Sequence, residues 1–111
     1  MRFQISIKGG ELFEMIGEPV DLPNGLGEVF VVHYNPFVKH DLFDKDGDPY
    51  TETDREKFRV SHAPTGFRVA GGDSIVDAID RAVQKMVEKG ELSFRTALER
   101  AEKVRHESAA A

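Results

Sequence analysis

Between Phe58 and Val87 the apolar residues change their period, and that change restricts the fold more than any other feature of the chain. In "KFRVSH", Phe58, Val60 and His62 alternate with Arg59 and Ser61, the period of two of a half-buried strand. "APTG" puts Pro64 and Gly66 at the second and fourth places of a type I turn, and "FRVAG" returns with Phe67 and Val69 inward. A hairpin from Phe58 to Ala70 follows. Ile75, Ile79, Ala82, Val83 and Met86 then recur at helical spacing, with Val76 and Val87 widening the stripe. Ser74 and Asp77 have capping-box spacing, so "GGDS" reads as a strand-to-helix turn. With no following Lys and no GxGxxG pattern, it is not a phosphate loop. Gly90 ends this helix. Ser93 caps a second one, with Phe94, Ala97, Leu98, Ala101 and Val104 on its apolar side. Gly90–Leu92 is short enough to predict an αα-hairpin.

The first half is strand-like. "RFQISI" alternates, with Phe3, Ile5 and Ile7 facing one way, and Gly9–Gly10 predicts a hairpin turn into "ELFEMI". "GEPVDLPNGLGE" carries turn chemistry throughout. "EVFVVHY" (Glu28–Tyr34) is apolar on both faces and β-branched, which predicts a central strand. Asn35 as N-cap and Pro36 at the first helical position predict a short helix to about Phe43. Strands first and helices last make the class α+β: an antiparallel sheet of four to five strands, covered on one face by a C-terminal pair of helices. The 111 residues suit one domain over 1–107, with 108–111 ("SAAA") as a disordered tail. The apolar face of the last helix either closes this core or pairs with a second copy as a homodimer.

Charge is concentrated. Asp41, Asp44, Asp46, Asp48, Glu52, Asp54 and Glu56 face only Lys45 and Arg55, so residues 41–56 carry the −5 of the whole chain. The rest is neutral. Such a field favours cations or a protein partner with a basic surface. Cysteine is absent, which removes disulfides, thiolate metal sites and cysteine nucleophiles. The start lacks the apolar core of a signal peptide and no run is long enough to span a bilayer, so the expected location is cytoplasmic, without a membrane partner.

"DKDGDPYTETDRE" resembles the calcium loop of the EF-hand family over Asp44, Asp46 and Asp48, which match its first, third and fifth ligand places. Tyr50 would offer its carbonyl at the seventh place and Glu52 its carboxylate at the ninth. Pro49 replaces the glycine of the sharp turn, and Arg55 stands where the closing glutamate belongs. The segment after it alternates like a strand rather than forming a leaving helix. The resemblance is therefore read as a decoy, the loop as a solvated acidic turn, and no cofactor is expected. Asp44, Asp46, Asp48 and Glu52 are the candidate ligands of the alternative reading, a divalent-cation (Ca/Mg) binding protein.

Four histidines remain: His33, His40, His62 and His106. His33 and His62 on neighbouring strands would form a two-His-one-carboxylate site with Asp41, or an acid–base pair. No tight ligand spacing and no GxSxG elbow support catalysis. Arg59 and Arg68 fall diagonally on the outer hairpin face, a pair suited to phosphate or an acidic partner. Two arginines are not the basic face that nucleic acid requires.

"FRVSHAPTGFRVAGGDSIVDAIDRAV" is similar to small accessory proteins of phages and prophages through Val60, His62, Thr65 and Gly66 ahead of a capped helix. The resemblance implies a small regulatory protein or inhibitor acting by binding, and brings no catalytic residue. The functional expectation is a non-enzymatic protein-binding module, docking through the seven acids of residues 41–56.

Overall fold

The computed structural model describes residues 1–6, 11–22 and 27–110. The chain forms six strands: β1 (Arg2–Ser6), β2 (Leu12–Ile16), β3 (Glu18–Val20), β4 (Phe30–Tyr34), β5 (Phe58–His62) and β6 (Arg68–Gly72). One helical turn, α1 (Glu52–Arg55), precedes β5, and α2 (Ile75–Ala110) ends the chain. β3, β4, β5 and β6 make an antiparallel sheet in that order, and β1 pairs with β2 in a separate two-stranded sheet. The architecture is α+β. The Gly9–Gly10 turn and Ile7 lie outside the described residues, and so does Ala111 of the expected tail. The backbone before it continues α2 to Ala110.

Both faces of β4 are used, which explains its unbroken apolar run. Phe30 and Val32 join Val60, Val69, Ala78, Ala82, Met86, Phe94 and Leu98 in the core beneath α2. Val31 points the other way and packs with Phe3, Ile5 and Met15 of the two-stranded sheet. The four-stranded sheet thus has a helix on one side and a strand pair on the other. The chain passes between the two sheets at Gly17. A Cβ there would sit 3.0 Å from the Val31 Cβ and 3.2 Å from the Phe3 ring, closer than packed carbons sit.

Several expectations are corrected. "GEPVDLPNGLGE" is not all turn, because Glu18–Val20 is a strand paired with Phe30–Val32. Pro19 is accommodated because β3 is an edge strand, where a missing N–H need not cost a ladder bond. Residues 35–43 are not helical. Asn35 is fully buried; its Oδ1 accepts the Phe37 N–H at 2.9 Å and its Nδ2 donates to the Glu56 carbonyl at 2.8 Å. This Asn closes a turn and ties it to a distant segment instead of capping a helix. The turn after β5 is wider than type I: the Gly66 N–H donates to the His62 carbonyl at 2.7 Å, a five-residue turn, with Gly66 at φ 71°.

Ser74 caps α2 as expected, accepting the Asp77 N–H at 3.1 Å. Gly90 interrupts α2 with φ 78° and ψ 161°, a region essentially reserved for glycine. Helix resumes directly at Glu91, so Ser93 lies inside the second segment instead of capping it. Phe94 and Leu98 of that segment enter the molecule's own core, while Leu92 and Val104 remain exposed.

Candidate functional site

The acidic residues sit on a long connection from β4 to β5 that is fastened at its base. The Asn35 N–H donates to the Lys57 carbonyl at 2.7 Å, and the Lys39 N–H to the Asp54 carbonyl at 2.8 Å. At its far end is a small hairpin. Phe43 bridges Pro49, the Tyr50 N–H reaches the Leu42 carbonyl at 3.0 Å, and Gly47 turns at φ 84°. Asp44 Oδ1 accepts the N–H groups of Asp46 and Asp48, each at 2.9 Å. The first residue of the calcium-like pattern therefore holds the turn together from within. Asp44, Asp46, Asp48 and Glu52 do not supply a group of three ligand atoms close enough to share an ion.

The seven acids separate into distinct roles. Asp41, Asp46 and Asp48 are exposed and make no ion pair among the described residues. Glu52 is exposed and pairs with Arg81 of α2 at 2.9 Å, which raises the Arg81 pKa. Asp54 completes a capping box with Thr51 at the start of α1. The Thr51 N–H and hydroxyl both donate to it, holding its pKa below the usual carboxylate value. The spacing Thr51-x-x-Asp54 is the sequence signal for this turn, and the acidic run concealed it. Glu56 is not outward at all: it is 3% exposed and meets Arg59 Nε at 2.8 Å and Arg68 Nε and Nη2 at 2.7 Å. The two arginines do lie on the face opposite α2, as the alternation requires, but the acid they meet belongs to this chain. Gly71 leaves the room, since a Cβ there would lie 2.1 Å from the Glu56 Cδ.

Apolar side chains flank the exposed acids. Leu42 and Phe43 are 58% and 57% exposed. Phe37 is exposed and its ring lies 5.9 Å from that of Phe13, and Leu12 is exposed as well. The opposite side of the connection is different in charge: a cleft of about 560 Å³ is lined by Lys39, His40, Arg55 and Lys57 with Glu52 and Asp73.

The histidines do not form one site. His33 and His62 lie on opposite faces of the sheet, so neither the expected pair nor the site with Asp41 is assembled. His33 stacks on Phe3 with ring centroids 4.9 Å apart; Nδ1–H donates to the Tyr34 carbonyl at 2.9 Å and Nε2 accepts from the Ser61 hydroxyl at 2.8 Å. Burial, with the nearby Arg59 charge, pushes its pKa below the ordinary value despite that carbonyl. His40 lines the basic cleft and His106 is on the surface.

His62 is fully buried on the α2 side, against the Phe30 ring at 5.5 Å. Nε2 lies 2.9 Å from Glu28 Oε2 and Nδ1 lies 2.7 Å from the Thr65 hydroxyl. A carboxylate only accepts, so in the neutral ring Nε2 carries the proton and Nδ1 accepts from Thr65. The Thr65 oxygen in turn accepts the Phe67 N–H at 3.2 Å. Gly66 is closely approached by the Gln4 carbonyl and by Arg105, whose guanidinium donates to the carbonyls of Gln4 and Thr65. Burial lowers the Arg105 pKa. The motif Val60, His62, Thr65 and Gly66 is thus an interlocked turn: a core valine, a buried ring, its hydroxyl partner, and a glycine with no space for a side chain. Glu102 of α2 brings a third ligand atom: those of Glu28, His62 and Glu102 all lie within 4.8 Å of one another. Glu28 and Glu102 escaped sequence reasoning because they are far from His62 in the chain and form no motif with it.

No helix among the described residues is long and apolar enough to cross a membrane. The chain matches no protein-family model, no curated protein and no solved structure.

Proposed function

We propose that this is a small non-enzymatic binding protein that docks through the hairpin Asp41–Tyr50 onto a basic protein surface carrying an apolar groove. The observation that carries the reading is the pairing of two large apolar side chains, Leu42 and Phe43, both more than half exposed, with three acids that have no ion pair among the described residues, on a hydrogen-bonded turn. Burying a leucine or phenylalanine side chain is worth roughly 1.5–3 kcal/mol, so the pair supplies affinity. Asp41, Asp46 and Asp48 supply steering and register, and make the association rate sensitive to salt. Glu52, Asp54 and Glu56, engaged within the molecule, serve to hold the connection in place. An inhibitor or regulator of the kind implied by the phage-protein resemblance would act in this way.

The test is quantitative affinity capture from the native host with wild type, Leu42→Ser/Phe43→Ser, and Asp41→Asn/Asp46→Asn/Asp48→Asn. The expected result is one partner whose yield falls in both variants, the acid variant's remaining binding losing its salt dependence. Equal recovery of the same proteins with all three baits would remove the hairpin as the docking surface.

A further inference from the structure

We propose that Glu28, His62 and Glu102 form a zinc-class divalent-cation site, distinct from the acidic hairpin. Three elements remote in sequence meet there: the segment before β4, the end of β5 and the second half of α2. Their ligand atoms lie within 4.8 Å of one another, and His62 Nε2 is 2.9 Å from the Glu28 carboxylate. Ligands around a tetrahedral zinc ion, with bonds near 2.0–2.1 Å, stand about 3.3 Å apart. The two carboxylates are at least partly solvent-accessible, so small side-chain movements reach that spacing while the buried ring stays fixed.

Charge points the same way. Neither Glu28 nor Glu102 has a lysine or arginine ion-pair partner among the described residues. Arg105, one turn of α2 beyond Glu102, is engaged with the Gln4 and Thr65 carbonyls. Two carboxylates therefore converge on one imidazole, which offsets at most one of them; a divalent ion offsets both. One nitrogen and two oxygens suit zinc better than calcium or magnesium, which favour all-oxygen shells, and a water would complete the four.

The Thr65 hydroxyl fits either state of the ring. Metal on Nε2 requires the proton on Nδ1, and a hydroxyl oxygen has two lone pairs, enough to accept both Nδ1–H and the Phe67 N–H. Binding would thus switch the His62 tautomer without moving the ring, and Thr65 would act as the outer partner that orients a ligating histidine. It would also fasten the second half of α2 to the sheet.

The experiment is a Zn²⁺ titration of the full chain near neutral pH by calorimetry, with ¹⁵N NMR of the histidine rings. Wild type should bind one ion, and His62 should pass from the Nε2–H to the Nδ1–H form. Glu28→Gln and Glu102→Gln, shown to be folded by circular dichroism, should each weaken binding at least ~tenfold, since loss of a mere supporting partner already costs about that much. Asp44→Asn/Asp46→Asn/Asp48→Asn should bind as wild type does. The proposal is overturned by no binding at sub-millimolar Zn²⁺, by unchanged affinity in either glutamine variant, by loss of binding in the hairpin variant, or by Zn²⁺ binding that leaves the His62 tautomer unchanged.

Discussion

Gly71 is a glycine because the Glu56 carboxylate fills the space its side chain would need. Gly71→Ala should therefore destabilise the protein by about 1–3 kcal/mol, the usual cost of forcing an extra methyl into packed space. The cost should shrink in a Glu56→Ala background, because the atom it meets is gone; a urea double-mutant cycle measures the coupling. Alternation alone placed Arg59 and Arg68 on the face away from the helix. It did not reveal their partner, because Glu56 was counted with the acids beside it, and only tertiary structure turns it inward. His33 gives a pH prediction. Its folded pKa lies below the unfolded value of about 6.5, so between the two the unfolded chain binds more protons. Its contribution is present at neutral pH and is lost as pH falls from about 6.5 through the folded pKa. Denaturation midpoints should decline over that window, and less steeply in His33→Asn, where this titration is absent.

The connection between β4 and β5 shows how an element can be ordered without being regular. Its sequence resembles a metal loop, yet the hydrogen bonds that would orient a ligand are spent on the turn itself. Asp44→Ala should leave the N–H groups of Asp46 and Asp48 without their acceptor, cost about 1 kcal/mol, and speed tryptic cleavage at Lys45. Asp44→Asn keeps the acceptor oxygen and should cleave at nearly the wild-type rate. First cleavage outside residues 43–57 in limited proteolysis would show that the hairpin is not the most accessible part of the chain. Period-two and helical patterns were legible for β1, the β5–β6 hairpin and both halves of α2, because one face of each is buried and leaves its mark in the spacing. β4 was legible as an unbroken β-branched run because both its faces are buried, and the largely exposed β2 through the glycine pair ahead of it in the sequence. β3 was hidden by Pro19, tolerated only at an edge. α1 is a single capped turn with no buried residue, too short to leave an apolar period.

At the scale of the whole molecule, the lopsided charge map seen in the sequence survives only in part. Glu56 is neutralised inside the fold and Glu52 is paired on its surface, while Asp41, Asp46 and Asp48 face outward. Sequence counting locates charge along the chain, but the fold decides which of it a partner meets. Arg105 fastens the first strand, at Gln4, to the turn at Thr65, and Phe94 and Leu98 seal the core above Phe30. Contacts spanning this much of the chain are late to form, since the loop between them must close first. Synthesis on the ribosome fixes the order: all six strands and the first half of α2 emerge before Phe94, Leu98 and Arg105. Nascent chains stalled before Phe94 should remain protease-sensitive, and resistance should appear only once Leu98 and Arg105 have cleared the exit tunnel. Until then the sheet, covered only by the first half of α2 through residues such as Ala78, Ala82 and Met86, leaves apolar surface around Phe30 for chaperones, and the second half of α2 sets the moment at which that surface closes.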